Sequence, residues 1–105
     1  MTPAAAEPQV LHELLIRCAH GDQEAFAEHY RLTSPFVYAV VSRRLGSASE
    51  AETVLVQIYV TLWRTASAYD KGGDTSGWTW TLAVMDQTLA ERTVRLGRRS
   101  RVSHG

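Results

Sequence analysis

The sequence has little of what marks a secreted, metal-binding or membrane protein. Its 105 residues include one cysteine, Cys18, so no internal disulfide can form, and the four histidines are not spaced with it as zinc ligands are. No apolar run approaches the roughly 18 residues that a membrane span needs. The N-terminus lacks the basic and apolar regions of a secretory signal. We therefore expect a cytoplasmic protein in a reducing compartment, with no membrane contact.

Motifs for catalysis are also missing. The chain has no Gly-x-Ser-x-Gly, no His-Glu-x-x-His and no phosphate-binding loop. Asp70 and Asp74 flank Gly72-Gly73, but the further ligands of a calcium site are lacking, so a polar turn is the favoured interpretation. We expect no enzyme activity, no metal and no cofactor.

Negative charge is missing from the C-terminal end. The net charge is zero over the whole chain, yet residues 92–105 contain no acid and five arginines: Arg92, Arg95, Arg98, Arg99 and Arg101. Such a basic end is typical of a nucleic-acid-binding arm. It is equally typical of a solvated helix end, where cations favour the negative pole of the helix dipole. Charge alone leaves both interpretations open.

Apolar residues recur at helical spacing through the first half of the chain. A first helix is predicted to begin near Pro8 and to end at Gly21. Asp22 is the predicted N-cap of the next helical segment, which Gly46 ends. Ser34-Pro35 interrupts this segment, and the pattern leaves open whether residues 22–45 form one kinked helix or two.

The second half predicts two more helices. Ser49-Glu50-Ala51-Glu52 reads as a capping box, and the helix behind it is predicted to end at Arg64. Residues 69–77 read as a loop. The last helix is predicted from about Ser76 to about Leu96, with Gly97 as its C-cap. The fold class is therefore all-α, a compact bundle of four to five helices. We divide the chain into a flexible N-terminus (1–8), a helical domain (9–97) and a basic tail or start of a linker (98–105).

Several polar and aromatic residues have a structural and a functional interpretation. Cys18 lies on an apolar stripe and is predicted to be a small core residue. The histidines at 12, 20 and 29 are expected near helix ends, at the surface or its boundary. Core packing is favoured for Trp63. Of Trp78 and Trp80, one is expected to pack and the other to be partly exposed, where it could stack on unpaired bases.

The order of short motifs along the chain is informative. The series is Asp22-x-x-Ala25-Phe26-x-x-x-Tyr30, Pro35-x-Val37-Tyr38, Arg43-Arg44-Leu45-Gly46, Glu50-Ala51-Glu52, Ile58-Tyr59-Val60-Thr61-Leu62-Trp63-Arg64, Ala68-Tyr69-Asp70 and the helix of Trp80. Over roughly residues 11–101 this series resembles region 2 of bacterial sigma factors of the extracytoplasmic-function (ECF) group. No single piece is diagnostic, but the ordered series is fairly specific.

The resemblance implies a helical domain that docks on the clamp coiled coil of RNA polymerase and captures the single-stranded −10 promoter element. Residues 50–64 would form the docking helix, and the 69–77 loop with the last helix would hold the strand. The implied polymerase-binding residues are Glu50, Thr53, Val54, Val56 and Gln57. The implied nucleic-acid-binding residues are Asp70, Lys71, Trp80, Gln87, Arg92, Arg95, Arg98 and Arg99.

Three features depart from the family pattern. The docking helix typically reads Asp-Ala-Glu-Asp-x-x-Gln-Glu, and Thr53, Val56 and Gln57 stand at its second Asp, Gln and final Glu, so negative charge is lost. Asp86 stands where the family often has an arginine near DNA. The chain also ends about where the linker to the second helical domain, region 4, would begin, so it is either a fragment or works alone.

These departures keep two other hypotheses open. In one, the fold is retained as a protein-interaction module that binds an anti-sigma factor or another regulator without promoter recognition, with Val54 and Val56 at the interface. In the other, the chain is a helical bundle with an unrelated partner.

Overall fold

Four helices make up the described part of the chain. The structure is a computed structural model that describes the backbone of residues 8–72 and 76–104 and the side chains of residues 9–69 and 76–94. The helices are α1 (Pro8–Ala19), α2 (Gln23–Leu45), α3 (Ala48–Gly72) and α4 (Gly77–His104). The described ranges contain no strand. The predicted all-α bundle is confirmed, with the smaller of the two predicted helix numbers.

The turns between α1, α2 and α3 follow from local chemistry. Asp22 is the N-cap of α2, and its Oδ1 accepts from the backbone N–H of Ala25 at 3.0 Å. Gly46 ends α2 in the left-handed region, with φ of 68°. The cap of α3 differs from the prediction. α3 begins at Ala48, two residues earlier than a cap at Ser49 would place it. Its first backbone hydrogen bond runs from Ala51 N–H to the carbonyl of Ser47, so Ser47 takes the place that was predicted for Ser49.

Residues 23–45 form one helix, which answers the question that the proline left open. Pro35 lies inside α2 and has no N–H for the helical ladder. The residues on either side of it share one buried face, since Thr33, Val37 and Val41 are all fully buried. Packing of this face against α3 keeps the helix continuous across the proline.

The predicted ends of the last two helices are wrong. α3 continues past Arg64 to Gly72, because Ala66 and Tyr69 are buried and packing extends the helix beyond its apolar repeat. Only Tyr69–Gly72 and residues 76–77 of the predicted loop are described, and the first four of these are helical. α4 continues through Gly97 to His104, so Gly97 is not a C-cap.

The core consists of two neighbouring clusters. The larger joins α2, α3 and α4, and its fully buried residues include Val37, Val41, Val54 and Ile58. The smaller lies under α1, where Leu11, Leu14 and Cys18 meet Ala25, Ala66 and Trp78. α1 thereby covers the contacts between the start of α2, the end of α3 and the start of α4.

Cys18 confirms the core interpretation. Its side chain is buried, and burial raises the pKa of the thiol to about 11, with Asp22 adding to the shift. The thiol is therefore neutral and unreactive at physiological pH. In the described residues no cluster of side chains could hold a metal ion, and no helix is both long and apolar enough to cross a membrane.

Candidate polymerase and nucleic-acid interfaces

The outer face of α3 carries two exposed valines one helical turn apart. Val56 is 62% exposed and Val60 is 47% exposed, and Thr53 lies on the same side of the helix. Val54 does not belong to this face. It is fully buried in the larger core cluster, so its predicted place at an interface is wrong. A helix turns by 100° per residue, which separates positions 54 and 56 onto opposite faces.

The two polar residues predicted on this helix lie in different surroundings. Gln57 is half-buried, and its Oε1 has no hydrogen-bond partner among the described residues. Glu50 is exposed in the first turn of α3, where a carboxylate favours the positive end of the helix dipole. Its carboxylate pairs with Arg92 of α4 at 3.0 Å.

Sequence reasoning missed an apolar groove beside the exposed valines. A cavity of about 330 Å³ lies between the start of α2 and the middle of α3, lined by Gln23, Phe26, Val60 and Trp63. The rings of Phe26 and Trp63 meet edge to face with centroids 5.2 Å apart. Val60 could have been found in the sequence, because it follows Val56 by four residues and falls between the buried positions 58 and 62.

The tryptophans of α4 divide as predicted. Trp78 packs in the smaller core cluster, and its ring meets that of Phe36 edge to face with centroids 5.4 Å apart. Trp80 remains half-buried and packs on Tyr69 at a centroid distance of 5.6 Å. The Tyr69 hydroxyl is in turn hydrogen-bonded to Nδ1 of His12, 2.5 Å away. The ring predicted to stack on bases is thus supported from α3 and α1.

His29 is fully buried, so its expected place near the surface is wrong. It lies on the buried face of α2 between Ala25 and Thr33, and its Nε2 is 3.0 Å from Oγ1 of Thr81. The Thr81 hydroxyl donates its own proton to the carbonyl of Gly77 at 2.7 Å. Nε2 must therefore carry the proton and donate to Thr81, which makes Nδ1 an acceptor, one without a partner among the described residues.

Burial also decides the ionisation of this buried network. Desolvation lowers the pKa of His29 to about 4, so the ring is neutral at physiological pH. The carbonyl of His29 accepts from Thr33, and Tyr59 bonds to the same hydroxyl at 2.6 Å. Desolvation raises the pKa of Tyr59, so its phenol stays protonated. This uncharged network fixes α2 against α3 and α4.

Most of the predicted nucleic-acid contacts that the structure describes lie along α4. Gln87 is exposed on α4. Asp86 lies 3.7 Å from Arg44 of α2, and both side chains are more than half exposed. The Arg92 side chain is only 18% exposed and is held by Glu50. The side chains of Asp70, Lys71, Arg95, Arg98 and Arg99 lie outside the described residues, so their predicted contacts stay predictions.

The sequence matches Sigma-70 region 2 over residues 29–99, which includes α3 and most of α4. The chain belongs to the sigma-70 family. It is also 36% identical over 96 residues to the ECF RNA polymerase sigma factor SigK of Mycobacterium ulcerans (strain Agy99), covering 88% of this chain and 51% of that protein. The protein of the same name from Mycobacterium tuberculosis (strain ATCC 25618 / H37Rv) is 35% identical over 96 residues, covering 90% of this chain and 51% of that protein.

A further relative matches a shorter part of the chain. SigK of Mycobacterium sp. (strain KMS) is 39% identical to this chain over 74 residues. The match covers 70% of this chain and 38% of that protein. The chain spans about half the length of the first two relatives that it matches. No solved structure matches it significantly. Sigma factors are regulatory proteins and not enzymes, in agreement with a sequence that lacks catalytic motifs.

Proposed function

We propose that this chain acts in transcription initiation in the cytoplasm, as the region 2 domain of an ECF sigma factor. In this proposal the outer face of α3 docks on the clamp coiled coil of the RNA polymerase core, and α4 binds the unpaired −10 strand of promoter DNA. The observation that carries it is the match of Sigma-70 region 2 to residues 29–99, the segment that contains both surfaces.

The exposed valines of α3 support the docking part of the proposal. Burying a valine side chain completely contributes roughly 1.5–3 kcal/mol, and Val56 is 62% exposed before any partner arrives. Apolar burial can therefore offset part of the attraction lost where Thr53, Val56 and Gln57 replace the acidic and polar residues of the family pattern. Thr53 and Glu50 lie on the accessible side of the same helix.

The composition of α4 supports the DNA-binding part. Trp80 offers a partly exposed ring, Gln87 offers an exposed amide, and both precede the arginines of the C-terminal end. Stacking on an aromatic ring and neutralisation of phosphates are the two contributions that single-strand binding uses. The proposed phosphate contacts are Arg92, Arg95, Arg98 and Arg99.

Competition for the polymerase core tests the docking part. We expect the chain to compete with an intact ECF sigma factor for purified core enzyme, and Val56→Asn to weaken this competition about tenfold or more, since it places an uncharged polar group in an apolar contact. Val94→Asn is the matched control, because Val94 is 52% exposed on α4 and is not one of the proposed docking residues. A folded chain that does not compete, or equal effects of both substitutions, would contradict the docking proposal.

A second candidate is a sigma-like module that binds a protein regulator, such as an anti-sigma factor, and no promoter. The groove beside Phe26 and Trp63 favours it, because an apolar cavity suits protein side chains better than it suits phosphates. Asp86 favours it as well, since an exposed carboxylate on α4 repels DNA. Binding to an anti-sigma factor by a chain that binds neither polymerase nor single-stranded DNA would support this candidate over the first.

A further inference from the structure

One ion pair joins the two proposed interfaces. Oε1 of Glu50, at the start of α3, lies 3.0 Å from Nη2 of Arg92 on α4. The Arg92 side chain is 18% exposed and that of Glu50 is 48% exposed. Nε of Arg92 is buried and has no partner among the described residues. The guanidinium is therefore already engaged by a carboxylate, although α4 is the proposed DNA surface.

We propose that Glu50 occupies the place of a DNA phosphate at Arg92, so that the ion pair is closed in the free protein and opens when polymerase and DNA bind. The inference rests on the proposed function, and it makes Glu50 a residue that acts on DNA through Arg92. Carboxylate and phosphate oxygens compete for the same guanidinium donors because both accept charge-assisted hydrogen bonds from arginine.

The pair also couples the two binding events. A basic surface of the polymerase that contacts Glu50 draws the carboxylate away from Arg92 and frees the guanidinium for phosphate. A phosphate that binds Arg92 frees Glu50 for the polymerase. Because both partners favour the same open state, each one strengthens the binding of the other by the same factor. The free protein consequently attracts nucleic acid less than its arginines alone would.

A second ion pair on α4, between Arg44 and Asp86, does not have these properties. Arg44 and Asp86 are 3.7 Å apart, and both are more than half exposed, so water screens their attraction. The Glu50–Arg92 pair joins one residue from each proposed interface, and its cation is largely shielded from solvent. Glu52 is a useful contrast, because it is exposed two residues along the same helix and forms no ion pair with a described side chain.

The test compares Glu50→Gln with Glu52→Gln in the full chain. Both substitutions remove one negative charge from the same turn of α3, so their long-range effects on DNA are similar. We expect Glu50→Gln to bind a labelled single-stranded oligodeoxynucleotide about two- to fivefold more tightly than Glu52→Gln at low salt, by fluorescence anisotropy. Glu50→Asp keeps the charge but shortens the side chain, and we expect it to produce part of the same gain.

Three results would overturn the proposal. Equal affinities of the two glutamine variants, with a wild type that binds the oligonucleotide, would overturn it and leave the proposed function in place. A gain in Glu50→Gln that persists in the Arg92→Ala background would show that Glu50 does not act through Arg92. Absence of binding by every folded variant would overturn this proposal together with the DNA-binding part of the proposed function.

Discussion

Nε2 of His29 donates to Oγ1 of Thr81 across 3.0 Å, and this bond joins the N-terminal half of α2 to the second turn of α4. Both residues are fully buried, and 52 positions separate them in the chain. The N-terminal part of α4, which carries the proposed DNA-binding residue Trp80, is thus held from the core. Buried hydrogen bonds of this kind are costly to break, because the donor or acceptor that loses its partner cannot bond to water instead.

The neutral state of His29 makes the protein less stable in acid. Its pKa is about 4 in the folded chain and 6.5 in the unfolded chain, so the unfolded chain takes up a proton first as pH falls. The contribution of His29 is complete above pH 6.5 and declines from there down to pH 4. We expect the free energy of unfolding to fall by about 1.6 kcal/mol between pH 6.5 and pH 5 from this residue. Urea unfolding at several pH values measures it. His29→Gln should flatten the dependence over this range, and an unchanged slope would contradict the assignment.

Removal of the Thr81 hydroxyl should destabilise the fold through its histidine partner. Thr81→Val keeps the shape of the side chain but leaves His29 Nε2–H without an acceptor, for which we expect a loss of about 1–3 kcal/mol. Thr88→Val is the control, because buried Thr88 bonds to the carbonyl of Val84 within its own helix and to no other described residue. Chemical denaturation of the two variants compares them. Equal losses would mean that the cross-helix bond adds no stability.

Gly77 is required at the start of α4 by a close approach to α1. A Cβ built on Gly77 would lie 2.7 Å from Leu11 Cβ and 2.9 Å from the Leu11 backbone carbon. Trimming Leu11 cannot relieve a contact with its backbone, so Gly77→Ala should separate the two helices and cost about 1–3 kcal/mol. Helix propensity alone would make alanine more stabilising than glycine by about 1 kcal/mol and would raise the melting temperature. A lower melting temperature would therefore show that the contact with Leu11 outweighs this gain. An increase would contradict the close contact.

Binding to single-stranded DNA should depend strongly on salt. If Arg92, Arg95, Arg98 and Arg99 each neutralise one phosphate, the logarithm of the binding constant should fall with the logarithm of salt concentration with a slope of about −3. Replacement of Arg99 by alanine should reduce the steepness by about 0.7. Anisotropy titrations at several salt concentrations give both slopes. A slope near zero would exclude the arginines as phosphate contacts.

The local signals in the sequence predicted most of the backbone. Pro8, Asp22 and Gly46 mark helix ends through their own conformational preferences, and the structure confirms all three. The ends that depend on distant packing were predicted wrongly. α3 runs on to Gly72 because Tyr69 is buried against other helices, and apolar periodicity along one segment does not report such a contact. The cap of α3 is a second example. Ser47 and Ser49 are both residue types that cap helices well, and the sequence does not show that the helix begins directly after Ser47.

The candidate site was predicted by residue type but not by exposure. The ordered motifs identified the docking helix and the Trp80 helix, and the family match bears out the resemblance. They did not separate Val54 from Val56, of which one is fully buried and the other is 62% exposed. His29 was expected at the surface or its boundary. The sequence around this histidine does not show that α4 packs over it.

The sequence by itself therefore determined the all-α class, the order of the helices and the family, because these depend on local preferences and on the order of motifs. The tertiary structure alone decided which side chains pair. Glu50 and Arg92 are 42 residues apart, and buried His29 bonds to the side chain of Thr81, 52 residues further along the chain. A pairing at that separation depends on how α2, α3 and α4 pack against one another. The pattern of residues within one helix predicts which face is apolar, but not which side chains of another helix that face will contact.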